Sequence, residues 1–424
     1  MINKVIELLK KSSVSGYRVN ETKTESFELF FVHDKLETIR STDTNNINAV
    51  VYMEHDGKIG SADFKVYQSS TEQDIKNLIE SSKEKALKID NEFFTLPAKE
   101  EGFFDSKSNF KNYSFEELAE KISDAVFAAK TDKNSSSNAT EIFVYKYTVR
   151  VVNSNGLDKK EVRYEAMVEA IPTYNGSEQS VELYEQYRFN EFDEETLVNE
   201  IKEKLEEVKY RYEAKKPDFE INTNILLRAS DLFSVYGNIS RQLNYNSVYS
   251  HSNLFKIGDD IQKDSKGDKL TITGKGSIKG SVNSSNFDRD GVTLIDTKLI
   301  EDGKVINYYG PNDKAQYVKM PVTGDLRCIE VKPGSKSKEE FLKEPHLECV
   351  SLSGIQVNPI QDYIGGEIRL AYYFDGKKTI PVTGISFAGK LSEFLNNSEL
   401  SKEEAVFLGY HGPALVRSNV FKVL

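Results

Sequence analysis

Residues 140–176 read TEIFVYKYTVRVVNSNGLDKKEVRYEAMVEAIPTYNG. Two runs rich in β-branched and aromatic residues meet at Asn155-Gly156, and a third run, from Val181, follows Asn175-Gly176. Asn-Gly accepts the positive φ angles of a tight turn, so each junction predicts a hairpin and the three runs predict an antiparallel meander.

Upstream, INAVVYMEHDGKIGSADF predicts another hairpin, turning at Asp56-Gly57. Three long helices flank these strands. In TEQDIKNLIESSKEKALKI, Thr71 stands three residues before Asp74, and Ile75, Leu78, Ile79, Ala86 and Leu87 fall mostly on one stripe. SFEELAEKISDAVFAA repeats the device with Ser114 and Glu117, and EETLVNEIKEKLEEVKYRY spaces Leu197, Ile201, Leu205, Val208 and Tyr212 by four and three. The predicted class is α+β, with N-terminal helices packed on a largely antiparallel sheet. TDKNSSSNAT, residues 131–140, reads as a flexible loop.

Composition shifts at EAKKPDFEINTN, where a long helix ends in charges and a proline. This predicts two domains, residues 1–217 and 218–424. The second is β-rich with few helices: KLTITG, GVTLIDTKLIEDGKVINYY turning at Asp302-Gly303, and EIRLAYYFDGKKTIPV turning at Asp375-Gly376 are strand signals. Helices are expected near Ser230–Leu243 and Lys338–Lys343.

A chain of 424 residues exceeds what one core usually serves, in keeping with two domains. Fifty-six Lys and Arg against 67 Asp and Glu leave a net charge of −11, a field that repels nucleic acid and anionic membranes. No apolar run reaches the roughly 20 residues of a membrane helix. MINKVIELLKKSS is amphipathic with internal Lys rather than a signal peptide, and a cytoplasmic protein is expected. Cys328 and Cys349 lie outside any CxxC pairing and fit a reducing compartment.

Candidate chemistry is sparse. GKGSIKG from Gly274 follows a strand as a dinucleotide loop would, but SVNSSNF after it opens no helix to present to a phosphate, so it reads as a turn. His33, His55, His251, His346 and His411 include no pair within one helical turn, which excludes HExxH-type zinc motifs; His251 and His411 are the better isolated candidates. Cys328 would need a partner to act as a nucleophile. SNFDRDGV, residues 285–292, sets Asp288 and Asp290 beside Gly291. An EF-hand reading fails because the twelfth position from Asp288 is Leu299 rather than Glu. Asp and Asn before Gly cap turns through bonds to the backbone, and that accounts for the cluster. A strand is expected after it, alternating through Val292, Leu294, Asp296 and Lys298.

The ordered set SNLFKIGDDI, KLTITG, GS…FDRDGV, LIEDGKVINYY, VTG and GIQVNPIQDYIGGEIRLAYYFDGKKTIPVTGISFAGKLSEFL resembles the C-terminal domain of the TldD/PmbA family, the so-called modulators of DNA gyrase. GKIGSADF, a long helix and LPA near Leu96 agree with its N-terminal domain. The resemblance implies a subunit of a TldD/TldE-type heterodimer that degrades or matures small unfolded peptides. TldD-type subunits hold zinc on an HExxxH helix and a Cys near the C-terminus. With Ile225–Leu227 as register, the three motif positions fall at Gly237, Asn238 and Gln242, and no Cys follows Cys349. Glycine and neutral amides are poor zinc ligands, and Asn cannot replace Glu as a base. VTGDLRCIEV departs from the TGN loop of relatives.

The expectation is therefore a PmbA/TldE-like subunit without zinc, cofactor or catalytic residues of its own. It would be partnered by an HExxxH-bearing TldD-type subunit or by itself, and would act on small unfolded peptides with no nucleic acid or membrane contact. Asp288, Asp290, Gly291, His251 and His411 would line a cleft or shape turns. The alternatives are a stand-alone peptide-binding or regulatory homodimer, and an enzyme whose residues only the fold assembles.

Overall fold

The computed structural model describes residues 1–424. Its N-terminal half is built on one sheet of nine strands, β1 (Gly16–Val32), β2 (Lys35–His55), β3 (Lys58–Val66), β4 (Asn91–Glu92), β5 (Glu101–Asp105), β6 (Ser135–Asn153), β7 (Asp158–Asn175), β8 (Ser180–Glu182) and β9 (Glu185–Phe189). The order is β4-β3-β2-β1-β6-β7-β5, with β8 and β9 both on β7, and only β5 runs parallel to its neighbour. The class is α+β. The turns at Asp56-Gly57 and Gly156 stand where Asn-Gly and Asp-Gly predicted them, with positive φ at Asp56, Gly57 and Gly156.

Four helices cover one face. α1 (Ile2–Lys11) and α2 (Glu72–Ala86) pack on Tyr17, Val19, Ala49 and Val51. α3 (Phe115–Ala128) and α4 (Glu194–Glu213) pack on Leu29, Phe31, Ile142 and Val144. The four β1 residues are all odd-numbered and so share one side of the sheet, the side chains alternating along a strand. Both predicted capping boxes form: the Asp74 amide donates to Thr71 Oγ1 at 3.2 Å and the Glu117 amide to Ser114 Oγ at 3.2 Å. At Gly60 of β3 a Cβ would stand 1.8 Å from the Ala86 carbonyl oxygen, so glycine lets the end of α2 touch the strand.

The C-terminal half contains an eight-stranded sheet, centred on β10 (Asn224–Arg228), His346–Asn358 and Tyr363–Phe374, and a six-stranded sheet centred on Ile272–Lys275 and Cys328–Val331. They enclose one core of 32 residues between Ile221 and Phe421, onto which α5 (Ala229–Arg241) packs Leu232, Val235, Tyr236 and Ile239.

Four local expectations differ from the structure. Residues 135–140 are not a loop: Ser135–Ser137 pair with Pro172–Tyr174, and only Ser137–Thr140 is irregular. Their polar composition describes solvation and carries no information about the ladder. The run from Val181 divides into β8 and β9. No strand begins at Val292; it starts at Thr297, because Gly291 turns at φ 82° and the amides of Leu294 and Ile295 donate to Asn286 and Thr323 instead of to a ladder. Three short helices beyond the two expected occur at Tyr245–Tyr249, Asn312–Tyr317 and Leu391–Asn397.

Candidate functional site

The face of the N-terminal sheet that carries no helices meets the C-terminal half through the SNFDRDGV stretch. Arg18 and Asn20 of β1 are even-numbered and point to this face. Arg18 forms an ion pair with Asp290, and Asn20 Nδ2 donates to the Arg289 carbonyl at 2.7 Å. From β7, Glu161 accepts from Ser285 Oγ at 2.9 Å and from the Asn286 amide at 3.0 Å. Lys159 Nζ, whose side chain is wholly buried, lies 2.6 Å from Thr293 Oγ1 and 2.7 Å from Glu100 Oε2. Phe287 packs with Val151 and Leu157 in one buried cluster.

The two carboxylates therefore have different duties. Asp288 Oδ1 accepts from the amides of Asp290 and Val292 at 2.9 and 3.0 Å, and Oδ2 from the Asp325 amide at 3.1 Å. Burial raises its pKa, while the Val292 and Asp325 amides oppose the shift. Asp288 thus holds the turn that Gly291 makes possible, and Asp290 reaches across to Arg18. Asp325 belongs to the VTGD departure; its Oδ1 accepts from Asn244 Nδ2 at 3.1 Å, so aspartate serves structurally there.

Beside this clasp lies a cleft of about 390 Å³ between the halves. Tyr52 and Phe94 meet edge to face, as do Phe94 and Tyr317. Lys314 Nζ sits 4.8 Å from the Tyr317 ring centre, Asn48 Oδ1 is buried without a hydrogen-bond partner, and Arg289 is exposed at the rim. Asp290 lines this cleft, and Asp288 is turned into its own loop.

A second cleft, of about 410 Å³, opens where α4 meets the start of α5. Arg228 Nη1 donates to Glu207 Oε1 at 2.7 Å and Nε to Glu348 Oε1 at 2.9 Å; Lys204 bridges Glu185 at 2.8 Å and Glu207 at 2.5 Å. Glu207 is 2% exposed, a buried acid on a helix whose neighbours Leu205 and Val208 face the core. That misplaced charge is the one sequence signal for this network. Asp231, in the first turn of α5, has its carboxyl pushed up to about 7 by burial, against the pull of the Arg228 backbone and charge.

Asn238 on α5 and Gln242 at its C-cap, the amides that the resemblance sets against an HExxxH pattern, have local partners. Asn238 Nδ2 donates to the Ser234 carbonyl at 2.9 Å, Gln242 Oε1 accepts from the Leu254 amide at 3.2 Å, and Gly237 faces space with nothing within 4 Å of an added Cβ. His251 is exposed, at φ 54°, after the helix Tyr245–Tyr249. His411 lies between Glu330 and Glu404, at 3.2 and 3.5 Å. Nowhere do three His, Cys, Asp or Glu side chains gather to hold a metal ion. Cys328 and Cys349 are buried free thiols with raised pKa, first through burial, which suppresses the nucleophilic thiolate. The arrangement offers shaped, hydrogen-bonding clefts, and both thiols are buried.

No helix is long and apolar enough to cross a membrane. Residues 223–422 match the PmbA/TldA metallopeptidase C-terminal domain. An uncharacterised protein of Methanocaldococcus jannaschii is 24% identical over 273 residues, 59% of this chain and 60% of that protein. TldE from Thermococcus kodakarensis superposes with a TM-score of 0.81 at 16% identity, covering 100% of this chain and 99% of its own. A Thermotoga maritima protein named as a modulator of a DNA gyrase gives 0.79 at 17% identity, covering 100% and 99%. A Bacteroides thetaiotaomicron protein of the same description gives 0.79 at 12%, covering 99% and 97%.

Proposed function

From a chain that belongs, through residues 223–422, to the TldD/PmbA family, we propose a PmbA/TldE-type subunit that binds peptide and completes a metallopeptidase without performing the hydrolysis. The observation that supports this most directly is α5: the fold is kept while Gly237, Asn238 and Gln242 stand where an HExxxH motif would place ligands and base, their amides committed to the backbone. Peptide-bond hydrolysis requires an activated water and a stabilised tetrahedral oxyanion, which zinc and its glutamate share in metallopeptidases. A homologue lacking both can retain cavity and partner surface, because binding needs shape and hydrogen-bonding edges and not a Lewis acid.

The substrates on this reading are small unfolded peptides, and the partner is an HExxxH-bearing relative from the same organism. The deciding experiment measures cleavage of unstructured peptides by this chain, by the partner and by the mixture. Turnover is expected in the mixture, dependent on the partner's zinc ligands. Chelator-sensitive turnover by this chain alone, surviving repurification, overturns the proposal. Peptide binding with no gain on mixing favours a stand-alone binding protein instead.

A further inference from the structure

Along α4, Glu200, Glu203, Lys204 and Glu207 recur at spacings of three, one and three, which sets them on one side of the helix beside the apolar stripe of Leu197, Ile201, Leu205 and Val208. They line the second cleft together with Glu185 and Tyr187 of β9 and Glu348 of the C-terminal half. Five carboxylates meet there, and Lys204 and Arg228 are the cations that pair with them. Arg188 is engaged by Glu165 at 2.6 Å, and Lys338 forms no ion pair. Glu200 has no ion-pair partner, and its pKa is raised, first by burial and then by Glu185 and Glu203.

A cluster of acids alone would be a solvated surface. Tyr187 makes it more than that: the residue is 9% exposed, and its hydroxyl is buried without a hydrogen-bond partner. Burial raises its pKa, and Glu185, Glu200, Glu207 and Glu203 raise it further, so the phenol end stands among those carboxylates. Buried hydroxyls are nearly always bonded, and a phenol oxygen accepts from an N–H donor. Another wall of the cleft is apolar: Val406, 43% exposed, with Phe407 and Leu408 from the turn between Glu404–Phe407 and Tyr410–Pro413.

We propose that this cleft is a subsite for a basic side chain of a bound peptide, its ammonium or guanidinium head among Glu200, Glu203 and the Tyr187 hydroxyl and its methylene stem against Val406 and Phe407. Lysine and arginine divide in this way between apolar surface and charge. The head supplies the donor that the phenol oxygen lacks and the cation that Glu200 lacks. The inference rests on the peptide-binding reading and adds to it a preference that the family resemblance does not contain.

The test is calorimetric titration of the full chain with blocked alanine–glycine hexapeptides carrying one central lysine, or norleucine in its place. The lysine peptide is expected to bind about tenfold more tightly, the weight of one charge-assisted hydrogen bond. Glu200→Gln, Tyr187→Phe and Val406→Lys, the last setting a cation at the mouth, should each reduce that ratio severalfold while leaving the norleucine peptide unchanged. Tyr187→Phe should also unfold at no lower urea concentration than the wild type, because its hydroxyl has no partner to lose. Equal binding of the two peptides overturns the subsite and leaves the peptide reading standing; binding of neither overturns both. A lysine preference untouched by all three variants places the cation elsewhere and overturns the assignment. Recovery of tight binding by a norleucine peptide with a free N-terminus would make the cation a chain terminus, and overturns the side-chain assignment too.

Discussion

Arg18 and Asp290, 272 positions apart, form an ion pair with side chains only 14% and 12% exposed. It closes the clasp between the N-terminal sheet and the C-terminal half and borders the first cleft. Replacing Asp290 with Asn leaves a guanidinium with little water to repay its lost partner, and breaking such a pair costs about 3 kcal/mol. Urea unfolding should show that loss, and Arg18→Met combined with Asp290→Asn should recover part of it. Peptide turnover per folded complex should change little. Abolished turnover with unchanged stability would make Asp290 catalytic.

The Asp231 carboxyl predicts a pH dependence. Its pKa is raised to about 7, chiefly by burial, so the folded chain binds this proton more tightly than the unfolded chain does. The stabilisation it contributes is present below the ordinary aspartate range near 4 and is lost as pH rises through 7. Asp231→Asn, neutral at all pH values, should flatten this part of the stability profile and gain on the wild type at pH 8. Parallel urea titrations at pH 5 and 8 measure the difference; an equal change in stability between the two pH values in both proteins would exclude the shift.

Metal content is checked by elemental analysis of zinc-replete, extensively dialysed protein. The expected zinc is far below one per chain, since neutral amides and glycine at the motif positions compete poorly with water for the ion. Stoichiometric zinc that disappears in His251→Ala or His411→Ala would move the site to those histidines.

Limited proteolysis addresses the division of the chain. Ser135–Thr140 lies in β6, so early cleavage is expected in the segment between α4 and β10, residues 214–223, and not in that strand. A fragment from about residue 218 should unfold cooperatively, because its core begins at Ile221. It should be less stable than the same half in the full chain, since Arg228 would lose Glu207, its partner from α4. A fragment without cooperative unfolding would mean that the halves fold only together.

Much of the fold is local and was legible. Asn-Gly and Asp-Gly turns, the stripes of α2, α3 and α4 and the Thr71 and Ser114 caps act over a few residues, so their chemistry is written in adjacent letters. Where a signal was only compositional it misled: the Ser-rich start of β6 is held by a ladder to Pro172–Tyr174, a partner more than thirty positions away.

The site divides the same way. Sequence by itself determined that Gly237, Asn238 and Gln242 cannot ligand zinc as an HExxxH helix does, because ligand chemistry belongs to the side chain wherever it is placed. It also determined that Asp288 caps a turn, since that bond closes within four residues. Only the tertiary structure decided that Asp290 holds Arg18, that Arg228 gathers Glu207 and Glu348, and that residues 35–46 of β2 pair with β1 on one edge and with no strand on the other. Those relationships depend on which strands become adjacent and on how far each overlaps the next. Register is set by the packing of whole faces against a core, and no short stretch of residues contains it.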